Sequence, residues 1–253
     1  MSDHPALTPL ANIKELEYRD RIQPTHDSPA AMLAKIRSSG RLRILPYLRS
    51  AGILRPSGDV LEIGAGSGWL SAELSKLPAV TRVVAVDFSE WLVDDVMPEI
   101  QRALEARVEK IERLRGDFHD LSFLNGRRFD FVFADSALHH ATDVPRVLRE
   151  AARVLQPHGR IVAVREPVRP ILASRVVQSR AAVERALQEH GVHEPLYSRA
   201  EWRRFFDDAG LDLTFEPVVF SRGLRGRVAR ALNGVSKADY CLIGTRRGAP
   251  SAS

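Results

Sequence analysis

The chain has 253 residues, 44% of them hydrophobic, which suits one α/β domain with room for a cap and can fill a complete core. Its 37 basic and 32 acidic side chains leave a formal charge of +5, but the excess is arginine scattered among acids, so composition alone gives no footprint for nucleic acid. No apolar run reaches the roughly 18 residues of a membrane span, the opening residues lack the basic-then-apolar order of a signal peptide, and the lone Cys241 excludes an intrachain disulfide or a cysteine-based metal cluster; a cytoplasmic protein with no metal site is the expectation.

Residues 1–45 read as helices ahead of a sheet, a helical N-terminal cap to a domain expected over 46–247. The first β-rich run, DVLEIG at 59–64, passes directly into Gly64, Gly66 and Gly68 in the string VLEIGAGSGWL. Glycines after a strand let the backbone bend tightly and approach a ligand, while the next helix, marked by Leu70, Leu74 and Leu77, offers unpaired N–H groups to negative charge. Trp69 stands where the dinucleotide fingerprint needs a third-position glycine, and no lysine with Ser or Thr ends the turn, which excludes a P-loop.

The second run, RVVAVDF at 82–88, ends in Asp87, where a nucleotide-binding sheet places an acid for the ribose hydroxyls. The third, IERLRGDF at 111–118, ends in Asp117 and Phe118, a carboxylate for an exocyclic amine and a ring to stack on. Either aspartate alone could be a turn residue; at the ends of successive strands after a glycine loop they point to a ligand. The fourth, FDFVFAD at 129–135, leads through Asp135 to His139 and His140. His139 is the better candidate base because imidazole takes a proton near neutral pH, the alternative being that both histidines satisfy backbone groups at the turn. Asp143 is a candidate N-cap, with Pro145 in the first turn, for a helix striped by Val144, Val147, Leu148 and Ala151.

The fifth run, GRIVAVRE at 159–166, aims Glu166 toward the same pocket, where it is a candidate to position an acceptor hydroxyl, the alternative being a solvated loop acid. Residues 167–197 interrupt the rhythm and, together with residues 1–45, are the candidate substrate lid. Ser198 with Glu201 forms a capping box for a helix through Trp202, Phe205 and Phe206, closed by Gly210. Two last runs follow, LDLTFEPVVF at 211–220 and ADYCLIGT at 238–245, separated by the basic stretch of Arg222, Arg225, Arg227 and Arg230; residues 248–253 read as a disordered tail. Strands alternating with helices predict a mainly parallel sheet covered on both faces.

From about Asp59 to Pro167, with a weaker echo in YSRAEWRRFFDDAGL at 197–211, the chain resembles the class I S-adenosylmethionine-dependent methyltransferases, particularly the UbiE-like or type 11 domain group. The resemblance implies a Rossmann-like sheet of strand order 3-2-1-4-5-7-6 with the seventh strand antiparallel. It also implies that Glu62, Gly64, Ala65, Gly66 and Gly68 lie near the methionine part of S-adenosylmethionine, that Asp87 and Phe88 meet ribose and adenine, that Asp117 and Phe118 meet adenine, and that Asp135 and Ser136 line the methyl end. VLQPHGRIVAVREP resembles the family's entry into strand five, with His158 where glycine is usual. The implied reaction is transfer of the sulfonium methyl to oxygen or nitrogen of a small-molecule acceptor, with His139, Asp135 and Glu166 as catalytic candidates and a monomer or homodimer as the working unit. The alternatives are a cofactor-binding protein without turnover and a nucleic-acid methyltransferase. Against the latter, ADSALHH replaces the Asn/Asp-Pro-Pro-aromatic motif, and Cys241 lies in the last strand, away from the site.

Overall fold

The computed structural model describes residues 10–171, 195–221, 223–235 and 239–248. The stretch 172–194 of the expected lid, and residues 249–253 of the expected tail, lie outside them.

Among the described residues the seven strands are β1 (Gly58–Ile63), β2 (Val80–Asp87), β3 (Ile111–Arg115), β4 (Phe129–Asp135), β5 (Leu155–Val164), β6 (Leu211–Pro217) and β7 (Tyr240–Arg246), in the order β3-β2-β1-β4-β5-β7-β6. The first five pair in parallel, and β7 runs antiparallel to both β5 and β6. Strand β6 stops at Pro217, short of the expected Phe220; its last paired residue is Pro217, opposite Tyr240, and one further bond runs from Val218 N–H to Asp239 C=O.

The alternation of side chains along each strand sorts the core into two layers. Leu61, Ile63, Val84, Val86, Val132 and Ala134 pack toward α7 (Val144–Arg153) and α8 (Arg199–Asp208), whose Val147, Leu148, Trp202 and Phe206 are buried. Val60, Val83, Phe133, Val162 and Val164 pack on the opposite face. That face is covered by α3 (Pro29–Ser38), α4 (Ile44–Ser50), α5 (Trp69–Ser75) and α6 (Met97–Ala103). Burying a side chain such as Phe206 or Leu148 contributes about 1.5–3 kcal/mol. Asp143 caps α7 by accepting from Arg146 N–H, and Ser198 and Glu201 form the reciprocal capping box on α8. These caps fix where each helix starts and, for α7, where the loop after β4 crosses the carboxyl edge of the sheet.

Ahead of β1 the chain is helical: α1 (Leu10–Glu17), a π-helical turn over Tyr18–Ile22, α2 (Gln23–His26), then α3 and α4. It is fastened to the carboxyl edge through Asp20, whose Oδ1 accepts from Ser89 Oγ at 2.5 Å and from Trp91 N at 3.3 Å. A last described helix, α9 (Gly223–Ala231), connects β6 to β7.

Candidate active site

A cavity of about 280 Å³ opens at the carboxyl ends of β1, β2 and β4, beneath the N-terminal helices. The turn after β1 forms its floor. Gly64 and Gly66 both have positive φ, +60° and +54°, but for different surroundings. A Cβ on Gly64 would stand 2.7 Å from that of Ala137, whereas a Cβ on Gly66 would meet nothing within 4 Å. Gly64 is therefore small because protein crowds it, and Gly66 leaves its backbone open to the cavity.

Asp87 closes one side. Its Oδ2 accepts from Gly66 N at 2.8 Å and its Oδ1 from Ser89 N at 3.0 Å, so the same carboxylate shapes the glycine turn and faces the cavity. Burial pushes its pKa above the ordinary carboxylate value, opposed by those N–H bonds. Phe88, Asp117 and Phe118 continue this wall. Asp117 Oδ1 accepts from His119 N at 2.8 Å and lies 2.7 Å from His119 Nδ1, which holds the loop after β3 in place.

On the other side of β1, Asp135 and Ser136 leave β4 into the cavity wall. Asp135 takes a bidentate ion pair from Arg165, at 2.6 and 2.8 Å, and a bond from Trp69 Nε1 at 2.6 Å. Ser136 and Arg165 are non-glycine residues in the left-handed region, with φ of 53° and 58°. Strained backbone at the ends of two adjacent strands persists only where surrounding bonds over-determine it, as the Arg165 and Asp135 pair does here.

Four of the expected site residues are not on the cavity wall. Glu62 shares the face of Val60, so the period-2 alternation turns it under α5, where it is fully buried and bonded by Ser71 Oγ, with its Oε1 unpartnered. Burial pushes its pKa up to about 8. Gly68 is the N-cap residue ahead of α5 and packs against Met97 and Gln101. His139, 2% exposed, and Glu166, also 2% exposed, face each other inside the protein. Glu166 accepts from the N–H groups of Ala137, Leu138 and His139 at 2.9, 3.0 and 3.2 Å, and its Oε2 lies 2.8 Å from His139 Nδ1. Glu166 thus braces the turn after β4 and pairs with the His139 ring; the sequence left open that both histidines satisfy backbone groups there, whereas His139 faces a carboxylate and His140 lines the cavity. His158 is exposed on β5, away from the cavity.

The structure instead adds cavity residues that no strand-end pattern marks. Glu15 of α1 and Arg19 of the π-helical turn line the wall with His140; Arg19 bonds Glu15 at 3.3 Å, and His140 Nδ1 is 3.6 Å from Glu15 Oε1. Burial lifts the Glu15 pKa, with Arg19 opposing. Lys35 and Arg41 also line the cavity. The Arg41 Nε is buried without a hydrogen-bond partner, and burial and then the neighbouring Arg165 lower its pKa, opposed by Asp135. Among the described residues no cluster of three or more metal-ligating side chains occurs, and no helix is long and apolar enough to cross a membrane.

Residues 61–163 match a family model described as a methyltransferase domain. The uncharacterized methyltransferase YcgJ of Bacillus subtilis is 34% identical over 110 residues, 44% of this chain and 41% of that protein. Its crystal structure superposes with a TM-score of 0.55 at 22% identity, covering 81% of this chain and 99% of that one. Demethylmenaquinone methyltransferase of Clavibacter sepedonicus is 36% identical over 103 residues, 41% of this chain and 39% of that protein. The S-adenosylhomocysteine-bound structure of CalO1, a methyltransferase of calicheamicin biosynthesis, superposes with a TM-score of 0.56 at 19% identity over 85% of this chain and 55% of that one. The chain thus spans about two fifths of the length of these two curated relatives.

Proposed function

We propose that this chain, whose residues 61–163 belong to the class I S-adenosylmethionine-dependent methyltransferase domain family, binds S-adenosylmethionine in the cavity and transfers its methyl group to oxygen or nitrogen of a small-molecule acceptor. The carrying observation is the polarity of the cavity across β1. Carboxylates of Asp87 and Asp117 lie on the β2 and β3 side; on the β4 and β5 side Arg165 is paired to Asp135, and Arg41 adds a guanidinium beside that pair. A ligand with ribose hydroxyls and an adenine amine at one end and an amino-acid carboxylate at the other complements this arrangement, and the unpartnered Arg41 Nε fits the carboxylate. The open space over Gly66 gives the ligand close access to backbone. The match to a family of methyltransferases, with a structural neighbour described in an S-adenosylhomocysteine-bound form, supports the same reading.

The bound cofactor supplies an electrophilic methyl group. The work left to the chain is to hold an acceptor in line with it and to keep water out, and alignment alone reaches effective molarities of about 10⁵–10⁸ M. Asp135, held by Arg165 and Trp69, is a fixed part of the wall. Glu15 and His140, which share the wall, are the groups in reach of an acceptor's proton. Glu15 is carried by α1 and His140 by the turn after β4, so the N-terminal helices act as a cap that completes the site. Calorimetry tests the reading: S-adenosylmethionine and S-adenosylhomocysteine bind while nicotinamide dinucleotides do not. Asp87→Ala weakens binding by about 1.5–3 kcal/mol, the range for a hydrogen bond to a charged group. Binding of a nicotinamide dinucleotide with no response to either adenosyl ligand refutes it. A turnover panel of hydroxylated and amino acceptors, read by S-adenosylhomocysteine release, then tests methyl transfer separately from binding.

A further inference from the structure

The helix α9 has no part in the cavity, yet its exposed face is not that of an ordinary solvated helix. Leu224, Val228 and Leu232 are 68%, 50% and 55% exposed and stand at four-residue intervals, and the Leu232 N–H bonds Val228 C=O, so the helical path continues past Ala231. With about 100° per residue these three form one outward stripe. Arg225 and Arg227 fall on opposite sides of it, both exposed. The inward side is held by Gly226, where a Cβ would collide with Ser221 C=O at 2.3 Å, and by Arg230, which bonds Tyr47 Oη at 3.0 Å. Ile171, 77% exposed, adjoins the far end through its N–H bond to Gly234 C=O. From Ser221 to Ala238 the sequence contains no acid.

Topology places this face on the functional edge of the molecule. Strand β6 is antiparallel to β7, which is antiparallel to β5, so β6 ends and β7 begins at the same carboxyl edge where the cavity opens.

We propose that α9 is an interfacial helix that docks the protein on an anionic lipid bilayer, with the apolar stripe entering the headgroup boundary, the flanking arginines on lipid phosphates, and the cavity edge toward the membrane. The choice of a lipid surface rests on charge complementarity: an apolar stripe flanked on both sides by cations, on an acid-free segment, fits a continuous anionic plane with an apolar interior. A short helix of this kind binds reversibly, because only a few apolar side chains and cations enter the interface.

The test is co-sedimentation of the full chain with vesicles of equal parts phosphatidylglycerol and phosphatidylcholine, and with vesicles of phosphatidylcholine alone. Binding to the first and not the second is expected, falling as salt rises from about 0.1 M to about 1 M and the screening length shrinks from roughly 10 Å to 3 Å. Leu224→Glu with Val228→Glu abolishes it, and Arg225→Gln with Arg227→Gln weakens it by roughly fivefold or more per arginine, the equivalent of about 1 kcal/mol each. Because the substituted side chains are exposed, all variants keep the wild-type melting curve and S-adenosylhomocysteine affinity. Equal binding to both vesicle types, no binding to either, or wild-type binding by the variants overturns the proposal. So does a dimer or a stable protein complex that forms through this face and dissociates in the Leu224→Glu variant.

Discussion

Glu166→Gln separates an internal brace from a reacting group. In the wild type, Oε1 accepts from Ala137 and Leu138 and Oε2 from His139 N–H, with His139 Nδ1 at 2.8 Å; both side chains are buried. The glutamine oxygen can replace one carboxylate oxygen, leaving an NH₂ group opposite the His139 N–H. One buried donor then goes unsatisfied at about 1–3 kcal/mol, and the two bonds that remain fall from charge-assisted to neutral strength, roughly half. The imidazole can change tautomer to accept from the new amide, which recovers part of the loss. A net destabilisation of about 2–5 kcal/mol is expected, which is a large share of a typical domain's 5–15 kcal/mol. Denaturant unfolding followed by circular dichroism measures it, and single-turnover methyl transfer in the folded fraction is expected to stay within a few-fold of wild type. An unfolding midpoint equal to wild type, together with a collapse of the chemical rate, would show that Glu166 acts on the reactants and refute the brace.

Gly64→Ala is expected to be more destabilising than Gly66→Ala. Both incur left-handed strain of about 1–2 kcal/mol, but only at Gly64 does the new Cβ meet protein, adding about 1–3 kcal/mol of overpacking; equal unfolding midpoints would contradict this. Glu62 binds a proton in the fold up to about pH 8 and in the unfolded chain only to about 4.5. Its contribution to stability is therefore full below the lower value and lost as pH rises through that window, at up to about 1.4 kcal/mol per pH unit. Glu62→Gln is expected to flatten that slope in pH-dependent unfolding, and an unchanged slope would assign it to other groups. Arg41→Gln is expected to weaken S-adenosylhomocysteine about tenfold or more while leaving methylthioadenosine, which lacks the amino-acid part, unaffected; calorimetric losses equal for both would place Arg41 elsewhere.

The amino-acid sequence by itself determined what depends on short-range order. The β-rich runs 59–64, 82–88 and 129–135, alternating with helical patterns, located the central strands, and the glycine turn located the floor of the cavity. Asp143 and the Ser198 and Glu201 box marked two helix starts. Each is a local steric or hydrogen-bonding rule satisfied within a few residues. The strand order came from family resemblance, since periodicity does not say which strands are neighbours. The tertiary structure decided the partner of each polar group. Glu62 and Glu166 resemble site acids in the sequence, but the side of the strand that Glu62 occupies and three N–H groups some 27 to 29 positions from Glu166 make them internal. Asp135 meets Trp69 across 66 positions. Glu15, Arg19, Lys35 and Arg41 carry no motif at all, and join the site only because helices ahead of β1 fold back over the carboxyl edge. A carboxylate's role is set by which donors surround it and how much water is excluded, and those are properties of the packed chain.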